Sequence, residues 1–459
     1  MFTYNDALKY LDAFTDFEKI GLPSPGSPEA AQNFDLDKLR RVLKKLGSPQ
    51  DAYRIIHVAG TKGKGSVCTY VSSILESSGY RVGLFTSPHL VSPAERIKIN
   101  AVDITEDDIA RVVERLRSSL GAGAETKFSF FEIYTLMAIL YFGMEKVDFA
   151  VLETGMGGRL DATNALDAGV CCITPVSYDH MRVLGPGIER IAREKAAIIK
   201  HNARCIVSPQ GENVLKIIRE KCVSENAPML LAGKDITWGR VRLSENGSRF
   251  DIRTGKRFYG DCQTSMPGDF QVENCATAVG VCEEALGGGK VDEEAFRNGI
   301  KHAFIPGRME ILCRRPLVVI DGAQNSDSAV RLKNSVEKIF RYDRLILLLG
   351  VSRDKDIEGI CRALAPLADE IVLTRASTCR AMDPNIIRGY VKGKRVRVTE
   401  SVKEAFGAAL ARAGKNDMIL ATGSFFVIGE LRAAVLGRTP TAVDGEKEQG
   451  IIGILKKAL

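Results

Sequence analysis

The chain predicts an α/β protein: a doubly wound parallel sheet of the phosphate-loop type, followed by a smaller Rossmann-like α/β domain. Three observations carry this reading. Short apolar runs rich in branched residues alternate with segments of helical periodicity along almost the whole length. Several of those runs end in glycine or polar residues, at the edge where doubly wound sheets collect ligands. The 459 residues are too many for one ordinary core, so roughly two or three domains are expected.

Taken in order, residues 4–20 read as an amphipathic helix with Tyr4, Leu8, Leu11 and Phe14 on one face. GLPSPGSPEA at 21–30 is a loop, either a plain connector or a substrate-side segment. A second short helix spans 35–46 and leads into YRIIHVAGTKGKGS at 53–66. The apolar start of that stretch reads as a buried parallel strand. Val67, Tyr70, Val71, Ile74 and Leu75 then fall at helical spacing. Between strand and helix lie Gly60, Thr61, Lys62, Gly63, Lys64, Gly65 and Ser66. Such a loop cradles phosphate. Its glycines let backbone N–H groups approach the anion, and the helix dipole favours negative charge. A lysine reaches the terminal phosphates and a hydroxyl ligates the metal. Lys64 and Ser66 fill those last two roles, although Gly65 separates residues that the standard pattern places side by side. A glycine-rich basic surface turn is the alternative, and the flanking strand and helix count against it.

Residues 81–85 form another strand, ending in Thr86, Ser87, Pro88 and His89. A charged, exposed helix at 106–120 precedes FSFFEIYTLMAILYF at 128–142, a buried helix. Its Phe130–Phe131 pair is either core or a platform for a flat aromatic ligand. DFAVLETGMGGRLDATN at 148–164 begins as a buried strand with Glu153 at its carboxyl end, a natural Mg²⁺ ligand beside a phosphate loop. Gly155, Gly157 and Gly158 make a second flexible loop. The strand at 170–176 is followed by Asp179 and His180, and both a structural and a ligating role are open for that histidine. In the helix at 188–200, Lys195 reads as no more than a solvated charge. Residues 236–264 suggest a small antiparallel hairpin. Helix returns at 271–286, with Asn274 near its start. A boundary before Pro306, Gly307 and Arg308 divides the chain into 1–301 and 302–459. In the second part, strands at 317–320, 345–350, 371–374 and 418–422 lead to Asp321–Asn325, Ser352–Lys355, Arg375 and Arg380, and Gly423–Ser424. Polar groups thus collect at one edge.

Hydrophobic content of 45% and charged content of 26% are those of a soluble globular protein. The net charge of +7 suits anionic small ligands but is too diffuse to argue for nucleic acid. Eleven cysteines without a CxxC pair point to reduced, buried thiols rather than a disulfide framework or a zinc site. The N-terminus has no basic segment before an apolar core, so it is no signal peptide. No apolar stretch is long enough to span a bilayer. A cytoplasmic location, with neither nucleic acid nor membrane as partner, is the expectation.

The motifs also resemble a family. In order they are GTKGKGS (60–66), FTSPHL (85–90), ERIKIN (95–100), FFE (130–132), LETGMGGRLDATN (152–164), DHMRVLG (179–185), REKAAI (193–198), PGRMEI (306–311), DGAQN (321–325), RDKDI (353–357), RAMDP (380–384) and GSFFVIGE (423–430). Together they resemble the folylpolyglutamate synthase/dihydrofolate synthase branch of the Mur ligases, over nearly the whole chain.

That resemblance implies an ATP-dependent carboxylate–amine ligase of folate and one-carbon metabolism. It would add L-glutamate to folate, to dihydropteroate or to both through an acyl phosphate. Residues 1–301 would be the ATP-binding Mur-ligase central-type domain, residues 302–459 the glutamate-ligase domain, and the protein a monomer. Lys64 would hold the phosphates. Ser66 and Glu153 would bind one Mg²⁺, and Ser87, Glu153 and His180 would border a second. Lys195 matches a lysine that the superfamily often carries as a carbamate (N6-carboxylysine), an anionic ligand beside the metals. Asn274, Arg308 and Asp321 match nucleotide contacts. Gln324 stands where the family usually has His, and it can hydrogen bond but cannot act as a general acid or base. Lys62 stands where Asn is common. Phe131 and Asp161 are candidates for the pterin pocket, and Arg380 and Ser424 for substrate contacts of the second domain. The competing readings are a Mur-type ligase acting on another carboxylate, such as a UDP-sugar peptide, and a catalytically inactive nucleotide-binding scaffold.

Overall fold

The computed structural model describes residues 2–20, 35–179, 181–287 and 292–437. The expected loop at 21–30, His180 and the tail beyond 437 lie outside the described residues.

The predicted helix at 4–20 is broken in two, Tyr4–Asp12 and Phe17–Ile20. Between them Thr15 bridges Ser129 in parallel, and the Phe130 N–H donates to the Thr15 carbonyl at 3.0 Å. Pairing with the start of the helix Phe130–Met144 overrides the local helical periodicity.

The first sheet has eight strands: β1 (Arg54–Ala59), β2 (Val82–Phe85), β3 (Ile97–Ile99), β4 (Val102–Asp103), β5 (Phe149–Glu153), β6 (Val170–Ile173), β7 (Arg204–Val207) and β8 (Met229–Leu231). Their order is β4-β3-β2-β5-β1-β6-β7-β8. It is parallel from β2 to β8, but β3 and β4 run antiparallel at the edge, so the sheet is mixed rather than all-parallel. Asn100 and Ala101, at φ 47° and 61°, reverse the chain between those two short strands. Successive strand residues face opposite sides. Ile55 therefore enters the core under the helices Phe130–Met144 and Glu106–Leu120. Ile56 and Val58 enter the core shared by the helices Lys64–Ser77, Asp269–Ala285 and Glu293–His302.

Residues 237–264 form a three-stranded antiparallel sheet, β9 (Thr237–Ser244), β10 (Gly247–Arg253) and β11 (Phe258–Thr264), rather than a single hairpin. The third sheet comprises β12 (Glu310–Arg314), β13 (Leu317–Ile320), β14 (Leu345–Leu349), β15 (Glu370–Leu373), β16 (Arg395–Val398) and β17 (Met418–Thr422), in the order β12-β13-β17-β14-β15-β16. Only β12 is antiparallel to its neighbour. All eleven cysteines are free thiols, and all but Cys313 and Cys379 are buried. Among the described residues no helix is long and apolar enough to cross a membrane.

Candidate functional site

The glycine loop leaves β1 at the centre of the first sheet. At Gly60 (φ 151°) a Cβ would collide with the Thr174 side chain at the end of β6. The N–H groups of Thr61 and Lys62 donate to the Pro175 carbonyl at 3.0 and 3.2 Å, and the Thr61 hydroxyl donates to the Ser177 carbonyl at 3.1 Å. These backbone groups fasten the loop to its neighbour strand, which leaves the anion to the residues after Gly63. Gly63 (φ 82°) starts the helix Lys64–Ser77 without a side-chain cap, so first-turn N–H groups stay open for an anion. The Asn274 carboxamide oxygen occupies the place a Gly63 Cβ would need, which brings the helix Asp269–Ala285 onto the loop.

Glu153 ends β5, directly beside β1. Its Oε1 lies 4.0 Å from Lys64 Nζ, and its Oε2 accepts the Ser87 N–H at 3.0 Å. Burial pushes the Glu153 carboxyl up, while Lys64 and the Ser87 N–H pull the other way. The structure thus joins Ser87 to Glu153 through its backbone rather than its hydroxyl. Ser66 is buried in the first turn of the same helix as Lys64, and Gly65 approaches Glu153 closely.

Lys195 corrects the sequence reading. It is 5% exposed, not solvated, and its Nζ donates to the Gly60 carbonyl at 2.8 Å. Its helix, Ile188–Ala196, turns this face towards the phosphate loop. Burial, reinforced by Lys64, brings its amine down to about 7. Lys62 is brought down to about 8, mainly by burial, and faces Asp179 Oδ2 at 3.8 Å. Asp161 is spent on its own loop: it accepts the Met156 N–H at 2.9 Å and the Thr163 N–H and hydroxyl at 3.0 and 2.6 Å. Phe131 lies against Phe85, ring centroids 5.8 Å apart, and over Gly155, where a Cβ would strike the ring.

The second domain brings Arg308, Asp321, Gln324 and Ser424 to one edge. Asp321, raised by burial, accepts the Met309 and Ala323 N–H groups at 3.0 and 2.9 Å. The Arg308 guanidinium sits 4.7 Å from the Phe425 ring centroid. Gln324 donates its N–H to Ser328 Oγ at 3.2 Å, and the Ser424 hydroxyl accepts the Phe426 N–H at 3.2 Å as a helix cap. Arg380 reaches away from that group. It pairs with both Asp354 oxygens at 2.8 and 2.7 Å and donates to the Glu18 carbonyl at 2.6 Å.

The sequence reading passed over Arg96, the largest fully buried polar side chain here. It forms a bidentate pair with Glu18, donates to His89 Nδ1 at 2.8 Å and lies over the Phe130 ring at 5.3 Å. An arginine in the ERIKIN motif, in the turn just before β3, is the available signal. The two halves meet along this line, where Asn325 Nδ2 donates to Asp179 Oδ2 at 3.4 Å. A cavity of about 590 Å³ lies at the opposite edge of the first sheet, lined by Tyr53, Arg54, Phe149, Val170 and Arg204, and includes none of these groups.

Comparison with known proteins agrees with this geometry. The Mur ligase middle domain matches residues 58–282, and the Mur ligase glutamate ligase domain matches residues 307–425. The dihydrofolate synthase/folylpolyglutamate synthase of Bacillus subtilis is 30% identical over 86% of this chain and 94% of its own. The Mycobacterium tuberculosis folylpolyglutamate synthase complexed with ADP superposes with a TM-score of 0.86 at 30% identity, over 95% of this chain and 99% of that one. The Escherichia coli protein in complex with DHPP and ADP gives a TM-score of 0.80 at 28% identity, over 91% and 99%. The chain therefore belongs to the folylpolyglutamate synthase/dihydrofolate synthase family of Mur ligases, and is an ATP-dependent ligase.

Proposed function

We propose that this enzyme joins L-glutamate to the carboxylate of a folate, of dihydropteroate or of both, through an acyl phosphate. The observation that carries the reading is the meeting of Glu153, Lys64 and the Ser87 N–H at the mouth of an uncapped helix N-terminus. An anionic acceptor has to approach an anionic triphosphate there. Lys64 and the first-turn N–H groups offset that repulsion. The γ-phosphoryl group passes to the acceptor oxygen and ADP leaves. The glutamate amine then attacks the acyl carbon, the new C–N bond forms, and the C–O bond breaks to release phosphate.

The donors fit a hard divalent cation: the Glu153 carboxylate and the Ser66 and Ser87 hydroxyls would offer it oxygen ligands. When bound there, Mg²⁺ supplies charge neutralisation for the transferring phosphoryl group. His180 and a carbamylated Lys195 complete this proposed set. A lysine amine near 7 supports the second assignment, because only the neutral amine takes up CO₂. Asn274, Arg308, Asp321 and Gln324 serve the nucleotide, Lys62 lines the phosphate loop, and Phe131 walls the pterin pocket. Asp161 shapes that pocket through its loop. Arg380 and Ser424 order the second domain's side. The working unit is a monomer divided at 301/302.

The test is ADP release with ATP, Mg²⁺ and L-glutamate, offering dihydropteroate and tetrahydrofolate separately. Release that needs both an acceptor and glutamate is expected. Silence with both acceptors, while ATP still binds, overturns the proposal.

A further inference from the structure

Two motif segments, FTSPHL and GSFFVIGE, meet across the seam between the domains through Leu90 and Gly429, which have no role so far. Leu90 leaves the first domain and packs against the apolar core of the third sheet, beside Ile428. Its carbonyl oxygen sits where a Cβ on Gly429 would have to go. Gly429 has no positive φ and lies inside the helix Phe425–Leu436, so backbone conformation does not call for glycine there. Only the approach of Leu90 does. On its other side Leu90 meets Gly307, whose added Cβ would stand 3.2 Å from Leu90 Cδ2 and 2.8 Å from Ile428 Cδ1.

Each neighbour of this contact leads to one half of the site. Three residues before Leu90, the Ser87 N–H holds Glu153. One residue before it, His89 Nδ1 accepts from Arg96 Nε at 2.8 Å, and Arg96 is clamped by Glu18. The Leu90, Val91 and Ser92 N–H groups all converge on the Glu95 carboxylate, at 2.8, 3.1 and 3.1 Å. These bonds brace the loop that carries Leu90. On the far side, Gly307 precedes Arg308 and accepts the Gly322 N–H at 2.9 Å, next to Asp321.

We propose that Leu90 is a positioning residue: seated in the notch formed by Gly307, Ile428 and Gly429, it fixes Arg308 and Asp321 of the second domain relative to Glu153 of the first. The inference rests on the ligase reading above. A shift at this notch moves the two halves of one nucleotide site apart while leaving each sheet intact.

The test uses the full chain with Gly429→Ala and Leu90→Ala, plus Leu90→Met as the conservative control. Gly429→Ala is expected to lower kcat by about 10²-fold, the cost of an ångström-scale misplacement, and to weaken ATP binding, with circular dichroism kept. Leu90→Ala should lower kcat less, and Leu90→Met should restore most of it. X-ray scattering with AMPPCP and Mg²⁺ should show a larger radius for Gly429→Ala than for the unmodified protein. If Gly429→Ala does not fold, Leu90→Ala decides, since that side chain is only partly buried in a loop. Unchanged kcat in Leu90→Ala, or scattering in a folded Gly429→Ala that matches the unmodified protein, overturns the proposal. The scattering arm reads closure without turnover. An inactive but normally closing unmodified protein would sink the ligase reading alone.

Discussion

Glu153 and Lys195 show how burial shifts the protonation of single groups. Glu153 is an acid whose ionised form is penalised by desolvation and favoured by Lys64. Glu153→Gln removes the carboxylate charge proposed to ligate Mg²⁺ and keeps the shape. Turnover should fall by about 10²-fold or more, with the melting temperature preserved. Normal activity with unchanged Mg²⁺ dependence would sink the metal assignment. Lys195 titrates near 7 in the folded chain against an ordinary 10.5. Between those values the unfolded chain binds one proton more, so this group's contribution to stability rises with pH across the window. Below pH 7 both states are protonated and the cost of the buried cation stays. Stability measured from pH 7 to 10 should therefore climb less steeply in Lys195→Met. The same variant should lose the rise in turnover through pH 7 that a neutral, carbamate-forming amine predicts. A wild-type pH profile in that variant would rule the role out. Neither effect is legible in the sequence, where Lys195 is one charge in a charged helix. Its burial comes from the Gly60 carbonyl, 135 residues earlier in the chain. Glu153 was legible, because a carboxylate at a strand's carboxyl end needs only the strand to be recognised.

The loops and caps between elements carry the remaining sensitivity. Gly63 combines a left-handed φ of 82° with a carboxamide pressed against its open side. Gly63→Ala strains the backbone and pushes Asn274 away, at about 1–3 kcal/mol. ATP affinity should fall while the sheets remain folded, which binding calorimetry and circular dichroism would separate. The segment Phe17–Ile20 is fixed by charge. Arg96 is fully buried and Glu18 supplies its carboxylate partner. Glu18→Ala leaves that cation without its bidentate partner, for a loss of about 3 kcal/mol, the low end of the range because Glu18 is partly open to solvent. Urea unfolding measures it, and no change would show that Asp16 replaces Glu18. Helical periodicity alone drew residues 4–20 as one helix. The break at Thr15 exists because Ser129 offers a backbone partner, which no local pattern encodes.

At the scale of the whole molecule, the nucleotide's proposed contacts are divided between two sheets. A ligand bound across both should stabilise them together, by about 2.7 kcal/mol at a hundredfold excess over its Kd. AMPPCP with Mg²⁺ should shift a single melting transition upward, and chelating the metal should cancel most of the shift. Separate melting of the two halves with ligand present would contradict a shared site. The sequence by itself determined the fold class and most of the parallel strands, and it supplied the candidate residues for the site. These are local properties: a run of branched apolar residues, a glycine loop, a polar residue at a strand end. Only the tertiary structure decided the antiparallel strands β3 and β12, the burial of Lys195, the hydrogen bonds that tie Asp161 to its own loop and Arg380 to Asp354, and the meeting of Leu90 with Gly429. Each depends on a partner far away in the chain, and contact energies between such partners appear only once the sheets have placed them together.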